Sequence, residues 1–351
     1  MAAKMIAVKD IVPGCVLADT VLSVKGKVLL GKDVELTPRH ITLLNTWDVQ
    51  NVFIRIPEEQ SAVVEETPEL MQNIVQKANS KDYMQFVQEF DSLVTNVAQS
   101  FDFIQKSNII PMTPLRDAAG KIHTTIAKNG LAVINYLLIS DYKLANFVSR
   151  HSVMVAFFAG NIARQLKWSE EDIKGVALAG LLHDVGNLAA GRLNDTRAYL
   201  AEAAVLLKKT GGISSEVILG IIQHRECMDG SGFPTAINGF KIHPYAKVIA
   251  VADIFHVQAY TGEYANPFPV LEMLSHEMLG KLDTAVCHTF ISQIRDSLLN
   301  NKIQLHDGRE AEVIFFHPNG SCLPIVRTAD GQIVDLSQRG SGAISRIVSP
   351  S

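Results

Sequence analysis

From about residue 67 onward, apolar residues recur every three or four positions for roughly two hundred residues. This spacing places them on one face of successive helices and predicts a mainly helical core. One helix begins with a capping box at Ser169–Asp172 and runs into His183-Asp184, stopping near Gly186. Another begins near Ser214 and ends between His224 and Glu226. Two histidines are therefore expected at or near helix ends.

The N-terminal segment has a different pattern. Short apolar stretches flank Lys25-Gly26-Lys27 and predict a hairpin turn. Thr37-Pro38 opens a short helix, and Val49–Ile56 is typical of a strand. A proline-initiated, mostly polar stretch at 57–66 then predicts a linker. Residues 1–58 are thus expected to form a small α+β module.

The C-terminal segment also departs from the helical pattern. After about Asn300, the turn dipeptides Asp307-Gly308, Asn319-Gly320 and Asp330-Gly331 separate short Val/Ile-rich runs. They predict a small β-domain of three or four strands. The expected organisation is an α+β module at 1–58, a helical connector at 59–114, a helical domain at 115–300 and a β-rich domain at 301–351.

Composition and charge narrow the function classes. The 351 residues are 47% hydrophobic and 19% charged, as in globular proteins with buried cores. The net charge is −4 and no Lys/Arg run occurs, so polymeric nucleic acid is not an expected partner. The four cysteines form no C-x-x-C pair, which suits a reducing compartment. With no apolar leader and no membrane-length run, we expect a cytoplasmic protein without a membrane partner.

Four segments of the helical region carry side chains that bind metals. His183-Asp184 ends a strongly apolar helix, where an unpaired carboxylate would be costly, whereas His306-Asp307 lies in a predicted hairpin turn. A buried carboxylate needs a cation or a hydrogen-bond network, and both remain open. Imidazole and carboxylate ligands suit iron, manganese or zinc, and such a metal lowers the pKa of bound water from about 15.7 to about 7. The predicted metal ligands are His151, His183, Asp184, His224 and Asp253, with His224 either a ligand or a partner of one.

These residues stand in motifs that resemble a known family. The order H…HD…D is found across the HD phosphohydrolase superfamily. LLHDVGN at 181–187 resembles LLHDIGK of the HD-GYP proteins, and QHRECMDGSGFP at 223–234 resembles their HHExxDGxGYP. AKVIAVADIFHVQA at 246–259 is similar to RIIAVADxYDA, and SRHSVMVA contains His151. The resemblance covers about residues 115–300.

The resemblance implies an all-helical HD-type domain that hydrolyses cyclic di-GMP in bacterial second-messenger signalling. The flanking modules are similar to domains that often accompany this family. The catalytic residues implied are His183, Asp184 and Asn187. The ligand-binding residues implied are Asp229, Gly230, Gly232, Phe233 and Pro234. Arg225 is predicted to bind the phosphate of the ligand for a different reason, because a guanidinium matches phosphate oxygens in bidentate geometry.

Several positions depart from the family pattern. Asn187 stands where the family has a lysine, and Tyr199 stands where it has a histidine ligand of a second metal. Arg225 replaces the second histidine of HHE, and His256 replaces the second aspartate of the last motif. The residues for one metal are therefore intact while those for a second are not. We expect one divalent metal, iron or manganese in preference to zinc, and weakened catalysis.

Three alternatives remain open on the sequence. The chain could be a cyclic di-GMP sensor that binds without turnover, or a one-metal HD phosphohydrolase acting on another nucleotide, such as a guanosine tetraphosphate. It could also be a metal-free helical scaffold. The expected partner is a cyclic dinucleotide, and a homodimer or a signalling-protein partner stays open. His256 and the histidines outside the motifs are expected to be structural or surface residues.

Overall fold

A computed structural model describes residues 81–139, 147–189, 197–260, 266–317, 322–338 and 343–348, together with parts of residues 3–55. The chain divides into two compact units, Met1–Ile74 and Val75–Ser351. Among the helices in these described ranges, none has the length and apolarity needed to cross a membrane. The predicted linker at 57–66 lies outside the described residues.

The described residues of the first unit include two antiparallel pairs of strands. β1 (Ala3–Ala7) pairs with β4 (Asn51–Arg55), and β2 (Val21–Leu22) pairs with β3 (Val28–Leu30). The predicted hairpin turn at 23–27 lies outside the described residues, although the strands on its two sides do pair. The side chains buried between these elements include those of Val8, Leu17, Leu36, Leu44 and Val52.

The second unit is mostly helical, which confirms the predicted fold class. Its helices enclose one hydrophobic core that includes Phe157, Leu181 and Phe255. The helices are α1 (Lys81–Ser107), α2 (Met112–Asn129), α3 (Leu131–Ile139), α4 (Phe147–Gln165), α5 (Glu170–Leu182), α6 (Val185–Ala189), α7 (Ala198–Thr210), α8 (Ser215–Gln223), α9 (Pro244–Ala259), α10 (Phe268–His276) and α11 (Thr284–Leu298).

Local sequence signals set the ends of the two helices that matter most for the site. Ser169 accepts a hydrogen bond from the Asp172 backbone N–H at the start of α5, and Ser214 does the same for the Val217 N–H at the start of α8. The two helices end at His183 and His224, which occupy their C-cap positions. The predicted starts of both helices are therefore confirmed.

Small residues bring the helices close to one another. A Cβ added to Gly180 would lie 2.9 Å from the Cα of Ala156, so α5 and α4 pack almost backbone to backbone. Gly180 comes shortly before His183, and Ala156 comes shortly after His151. The close packing of α4 and α5 therefore brings these two predicted ligands together. A larger residue at 180 would push the helices apart.

Five strands follow the helices and form one antiparallel sheet in the order β8-β7-β6-β5-β9. The sequence predicted three or four strands, and the strand it missed is the short β9. The strands are β5 (Lys302–Leu305), β6 (Glu310–Phe316), β7 (Pro324–Thr328), β8 (Ile333–Asp335) and β9 (Ile344–Ile347). Gly308 and Gly331 have φ values of 85° and 82°, as their predicted turns require.

The sheet and the helices share one hydrophobic core. Ile303, Val313 and Val326 belong to the same buried cluster as the helical residues. The sheet also lies within the compact unit that begins at Val75. The predicted boundaries at residues 114 and 300 stay predictions.

Candidate metal centre and ligand site

Four of the predicted metal ligands converge at one place. His151 comes from α4, His183 and Asp184 follow the end of α5, and Asp253 lies in α9. The His151 and His183 Nε2 atoms are 3.0 Å apart. Asp253 Oδ1 is 3.3 Å from the first and 3.7 Å from the second. Asp184 Oδ2 is 3.9 Å and 3.6 Å from the same two nitrogens. The ligand atoms of His151, His183 and Asp184 all lie within 4.8 Å of one another, so one ion could contact these three, and Asp253 borders both imidazoles.

The hydrogen bonds of His183 leave one ring nitrogen for that ion. His183 Nδ1 is 2.8 Å from the Gly180 carbonyl oxygen, and since a carbonyl oxygen accepts, Nδ1 carries the proton. Its Nε2 therefore faces the cluster, where burial acts to lower the pKa of His183 but the charges of Asp184 and Asp253 raise it. His151 Nδ1 lies instead 2.9 Å from Nδ1 of His256. His256, expected to be structural or on the surface, is buried in contact with a predicted ligand.

The two carboxylates are charged and incompletely satisfied. Among the described residues, Asp184 Oδ1 and Asp253 Oδ1 are buried without a hydrogen-bond partner. Burial acts to raise the pKa of Asp253, but the adjacent His151 and His183 rings and the charge of Arg225 outweigh it and hold the pKa well below its ordinary value. For Asp184, the charge of His183, with a smaller effect from Arg225, likewise overcomes the effect of burial and lowers the pKa. Unpaired buried oxygens of this kind are suited to a cation.

On the other side of Asp253, a guanidinium is already in place. Arg225 Nη1 lies 2.9 Å from Asp253 Oδ2, and Arg225 Nε donates to the Tyr199 hydroxyl at 3.1 Å. Burial acts to lower the pKa of Arg225, but the charge of Asp253 raises it instead. The arginine is therefore a permanent cation beside the cluster. Its side chain is 33% exposed, so part of it faces the solvent.

His224 has a partner for each ring nitrogen. Its Nδ1 donates to the Ile221 carbonyl oxygen at 2.7 Å, and its Nε2 lies 3.3 Å from the Tyr199 hydroxyl. Burial and the charge of Arg225 lower the pKa of His224 to about 3, so the ring is neutral. Burial raises the pKa of Tyr199 to about 12, which keeps the hydroxyl protonated and able to donate to His224.

Tyr199 owes its position to a glycine of the His-Asp motif. A Cβ on Gly186 would lie 1.8 Å from the Tyr199 carbonyl oxygen, so only glycine lets α6 and α7 approach this closely. Asn187, the next residue and a predicted catalytic residue, is exposed on α6. Its backbone N–H donates to the Asp184 carbonyl oxygen at 2.9 Å.

The predicted ligand loop folds back on the segment that carries Arg225. A Cβ on Gly232 would lie between 2.3 and 2.5 Å from backbone atoms of Arg225, Glu226 and Cys227, so this position accepts only glycine. Phe233 N–H donates to the Arg225 carbonyl oxygen at 3.1 Å. The Phe233-Pro234 peptide bond is cis. The loop and Arg225 thus form one continuous structure.

Two acidic residues close this loop. Asp229 Oδ1 accepts from the backbone N–H and the hydroxyl of Ser231, at 2.9 and 2.6 Å. Gly230 has a φ of 80°, which favours glycine at the turn. Glu226 Oε1 accepts from both the N–H and the hydroxyl of Thr235 at 2.7 Å. These bonds give Asp229 and Gly230 a role in loop shape.

Arg197 was not predicted as a site residue. It precedes α7, two residues before Tyr199, and its guanidinium carbon lies 5.7 Å from the centre of the Phe233 ring. The residue is exposed. No motif signal marks it, because its contact with the loop depends on the path of α7. A second cation therefore stands beside the loop.

A comparison with protein families matches the region that contains these residues. Residues 135–268 match the family described as HD domain. This region is an HD domain. It contains all five predicted metal ligands and the ligand loop.

Two named proteins are similar in sequence to this chain. The chain is 26% identical over 248 residues to a cyclic di-GMP phosphodiesterase of Pseudomonas aeruginosa, covering 64% of this chain and 59% of that protein. It is 28% identical over 185 residues to 3'3'-cGAMP-specific phosphodiesterase 1 of Vibrio cholerae, covering 48% and 41% of the two chains. The chain thus spans about half the length of these curated relatives.

A solved structure has a similar fold. It is Bd1817, an HDG"Y"P protein from Bdellovibrio bacteriovorus, with a TM-score of 0.51 and 17% identity, covering 82% of this chain and 98% of the other. Together with the HD-domain match, it confirms the resemblance to the HD-GYP proteins that the motifs indicated.

Proposed function

We propose that this chain is a metal-dependent phosphodiesterase that hydrolyses a cyclic dinucleotide, with cyclic di-GMP as the substrate. The observation that supports this most strongly is the buried His/Asp cluster beside a fixed guanidinium and a glycine-rich loop. Relatives of this chain are named as phosphodiesterases of cyclic di-GMP or of 3'3'-cGAMP. Both substrates are cyclic dinucleotides with two phosphodiester bonds.

The residues present fit a divalent transition metal. His151, His183 and Asp184 would hold it, because their ligand atoms lie within 4.8 Å of one another, and Asp253, whose Oδ1 borders both imidazoles and is unpaired, would complete the set. Iron or manganese suits this mixed set, and zinc is also compatible. Such a metal, when bound, acts as a Lewis acid and lowers the pKa of water from about 15.7 to about 7.

We further propose one metal in preference to two. The groups near Asp253 Oδ2 already bond to one another. Arg225 contacts this oxygen and also donates to the Tyr199 hydroxyl, which in turn contacts His224. A second divalent ion there would face the guanidinium of Arg225 at close range, and the repulsion would be costly in a partly buried site. His224 then supports the site through Tyr199.

Arg225 is proposed to contact the phosphate of the ligand. Its contacts with Asp253 and Tyr199 use two of the five N–H groups that a guanidinium carries, and a third of the side chain faces the solvent. Guanidinium groups bind phosphate oxygens in bidentate geometry. The loop of Asp229, Gly230, Gly232, Phe233 and Pro234 would hold the rest of the ligand, and Asn187 would line its entrance.

Catalysis is expected to be weak compared with binding. An arginine supplies charge and hydrogen bonds, but it does not activate water as a second metal would. Loss of one electrostatic partner of a transition state typically lowers the rate by about 10²–10³. This supports a sensor, which binds the dinucleotide with slow or no turnover, as the second candidate function.

The test is to incubate the purified, manganese-loaded chain with cyclic di-GMP and with 3'3'-cGAMP and to follow the linear dinucleotide product. We expect slow production of pGpG that requires the metal and is lost in Asp184→Asn. Tight binding with no product in hours would favour the sensor. No binding and no product with either dinucleotide would contradict both functions.

A further inference from the structure

The two histidines of the cluster are held by different kinds of partner. His183 Nδ1 donates to a backbone carbonyl oxygen, which can only accept a hydrogen bond. His151 Nδ1 faces another ring nitrogen, Nδ1 of His256, at 2.9 Å. At this distance one proton must lie between the two nitrogens, because two lone pairs would repel each other.

The position of that proton decides whether His151 can bind a metal. If His151 Nδ1 carries it, the neutral ring has no proton of its own on Nε2, and this nitrogen can coordinate an ion next to His183 and Asp253. If His256 Nδ1 carries it, neutral His151 bears its own proton on Nε2. That proton would point into the cluster towards Asp253 Oδ1, 3.3 Å away, and block the nitrogen from a metal.

We propose that His256 is a positioning residue of the metal centre, which accepts the Nδ1 proton of His151 and so directs the Nε2 lone pair to the metal. The proposal rests on the metal site of the proposed function. Metal-binding histidines usually donate their other N–H to a carboxylate, a carbonyl or water, and this partner fixes the tautomer and the ring orientation. Here the partner that accepts the N–H of His151 is the buried imidazole of His256.

The surroundings of His256 hold its ring in one place. The Tyr260 ring, one turn further along, stacks on it with centres 4.8 Å apart and planes 19° from parallel. The Tyr260 hydroxyl donates to the Leu137 carbonyl oxygen at 2.9 Å, which anchors that ring in turn. The His256 side chain is buried on α9, the helix that also carries Asp253. An acceptor that cannot rotate is what a fixed tautomer requires.

The experiment measures the affinity of the full-length chain for Mn²⁺ by calorimetry in three variants. His256→Leu removes the acceptor and should weaken Mn²⁺ binding by about 10–100-fold, the usual effect of losing such a partner. His256→Asn places its Oδ1 near the position of Nδ1 and can still accept the proton. It should keep an affinity close to that of the wild type.

Lys247→Ala is the control on the same helix as His256, because Lys247 is paired with Asp283 instead. It should not change Mn²⁺ affinity. Nitrogen NMR of the zinc-loaded wild type should show the His151 proton on Nδ1.

The proposal is overturned if the folded His256→Leu and His256→Asn variants bind Mn²⁺ with the same affinity, or if Lys247→Ala weakens binding as much as His256→Leu. A proton found on Nε2 in the zinc-loaded protein would overturn it as well. If the wild type binds no metal, the metal site of the proposed function fails instead, and the two failures are distinguishable.

Discussion

The two oxygens of the Asp253 carboxylate face two unlike halves of the site. Oδ1 lies 3.3 and 3.7 Å from ring nitrogens of His151 and His183 and has no hydrogen-bond partner among the described residues. Oδ2 lies 2.9 Å from Arg225 and joins a chain of hydrogen bonds through Tyr199 to His224. One oxygen of Asp253 thus faces potential metal ligands, whereas the other faces side chains that already bond to one another.

This difference shows why a metal is expected on one side alone. A buried carboxylate oxygen without a partner is costly, and a cation removes that cost. On the Arg225 side, the guanidinium already provides the compensating charge, and each polar group has a partner. A second ion would have to displace these bonds and tolerate a fixed positive charge nearby.

The largest effect is expected from removing a charge on the metal side. Asp184→Asn replaces a carboxylate whose Oδ1 is unpaired with a neutral amide, which is a far weaker ligand. Metal binding should be lost, as measured by elemental analysis after dialysis. Asp307→Asn is the control, since Asp307 belongs to the other His-Asp pair, where it bonds Arg309 in an exposed turn. If both variants retain the metal, Asp184 is not a ligand.

On the other side, Arg225→Ala should lower the stability of the metal-free protein more than that of the metal-loaded protein. Without metal, the variant leaves Asp253 buried and uncompensated, at a cost of about 1–3 kcal/mol, less than for a fully buried pair because Arg225 is partly exposed. A bound metal would offset most of that loss. Thermal unfolding with and without Mn²⁺ should therefore show a wider gap between the two states than in the wild type.

Arg225→Ala should also weaken binding of cyclic di-GMP, by about 1.5–3 kcal/mol if a hydrogen bond to a charged group is lost. Calorimetry on the metal-loaded protein measures this, and Lys247→Ala is the control, because it removes a cation that is paired with Asp283 instead. An unchanged dissociation constant in Arg225→Ala would place the guanidinium outside the ligand site.

A smaller effect is expected in the loop. Gly232→Ala would force a Cβ against the backbone of Arg225 and Glu226, and the loop would have to shift, at a cost of about 1–3 kcal/mol. Cyclic di-GMP binding should weaken while metal binding remains. Ser231→Ala, which removes one hydroxyl from the same loop, should have less effect on ligand affinity. Equal effects would argue against the close approach at Gly232.

The smallest effect is expected from removing the first compact unit. Residues 75–351 contain every group of the site and form a unit of their own. The shortened chain should bind Mn²⁺ with the affinity of the full chain in calorimetry. A loss of metal binding in a folded, shortened chain would show that residues 1–74 contribute to the site.

Much of this site follows from sequence patterns. The caps at Ser169 and Ser214 fixed where two helices begin, and the helix lengths then placed His183 and His224 at their ends. The contrast between His183-Asp184 and His306-Asp307 was also visible, since one pair follows an apolar helix and the other precedes a turn glycine. These features depend on local interactions, which a sequence records directly.

The rest depends on contacts between distant segments. His256 lies 105 positions from His151, and no local signal marks one as the hydrogen-bond partner of the other. The Arg197 contact with Phe233 depends on where α7 packs. The short strand β9 was missed because its four residues, two of them polar, carry too weak a strand pattern.

The most direct test of one metal beside a fixed guanidinium is the metal content of the chain. Protein reconstituted with manganese or iron under reducing conditions, freed of excess ion and analysed by mass spectrometry, should contain about one metal per chain. The double variant Tyr199→His/Arg225→His, which removes the guanidinium and adds imidazoles beside Asp253, should raise that content towards two. Two metals in the wild type, or none, would contradict the account.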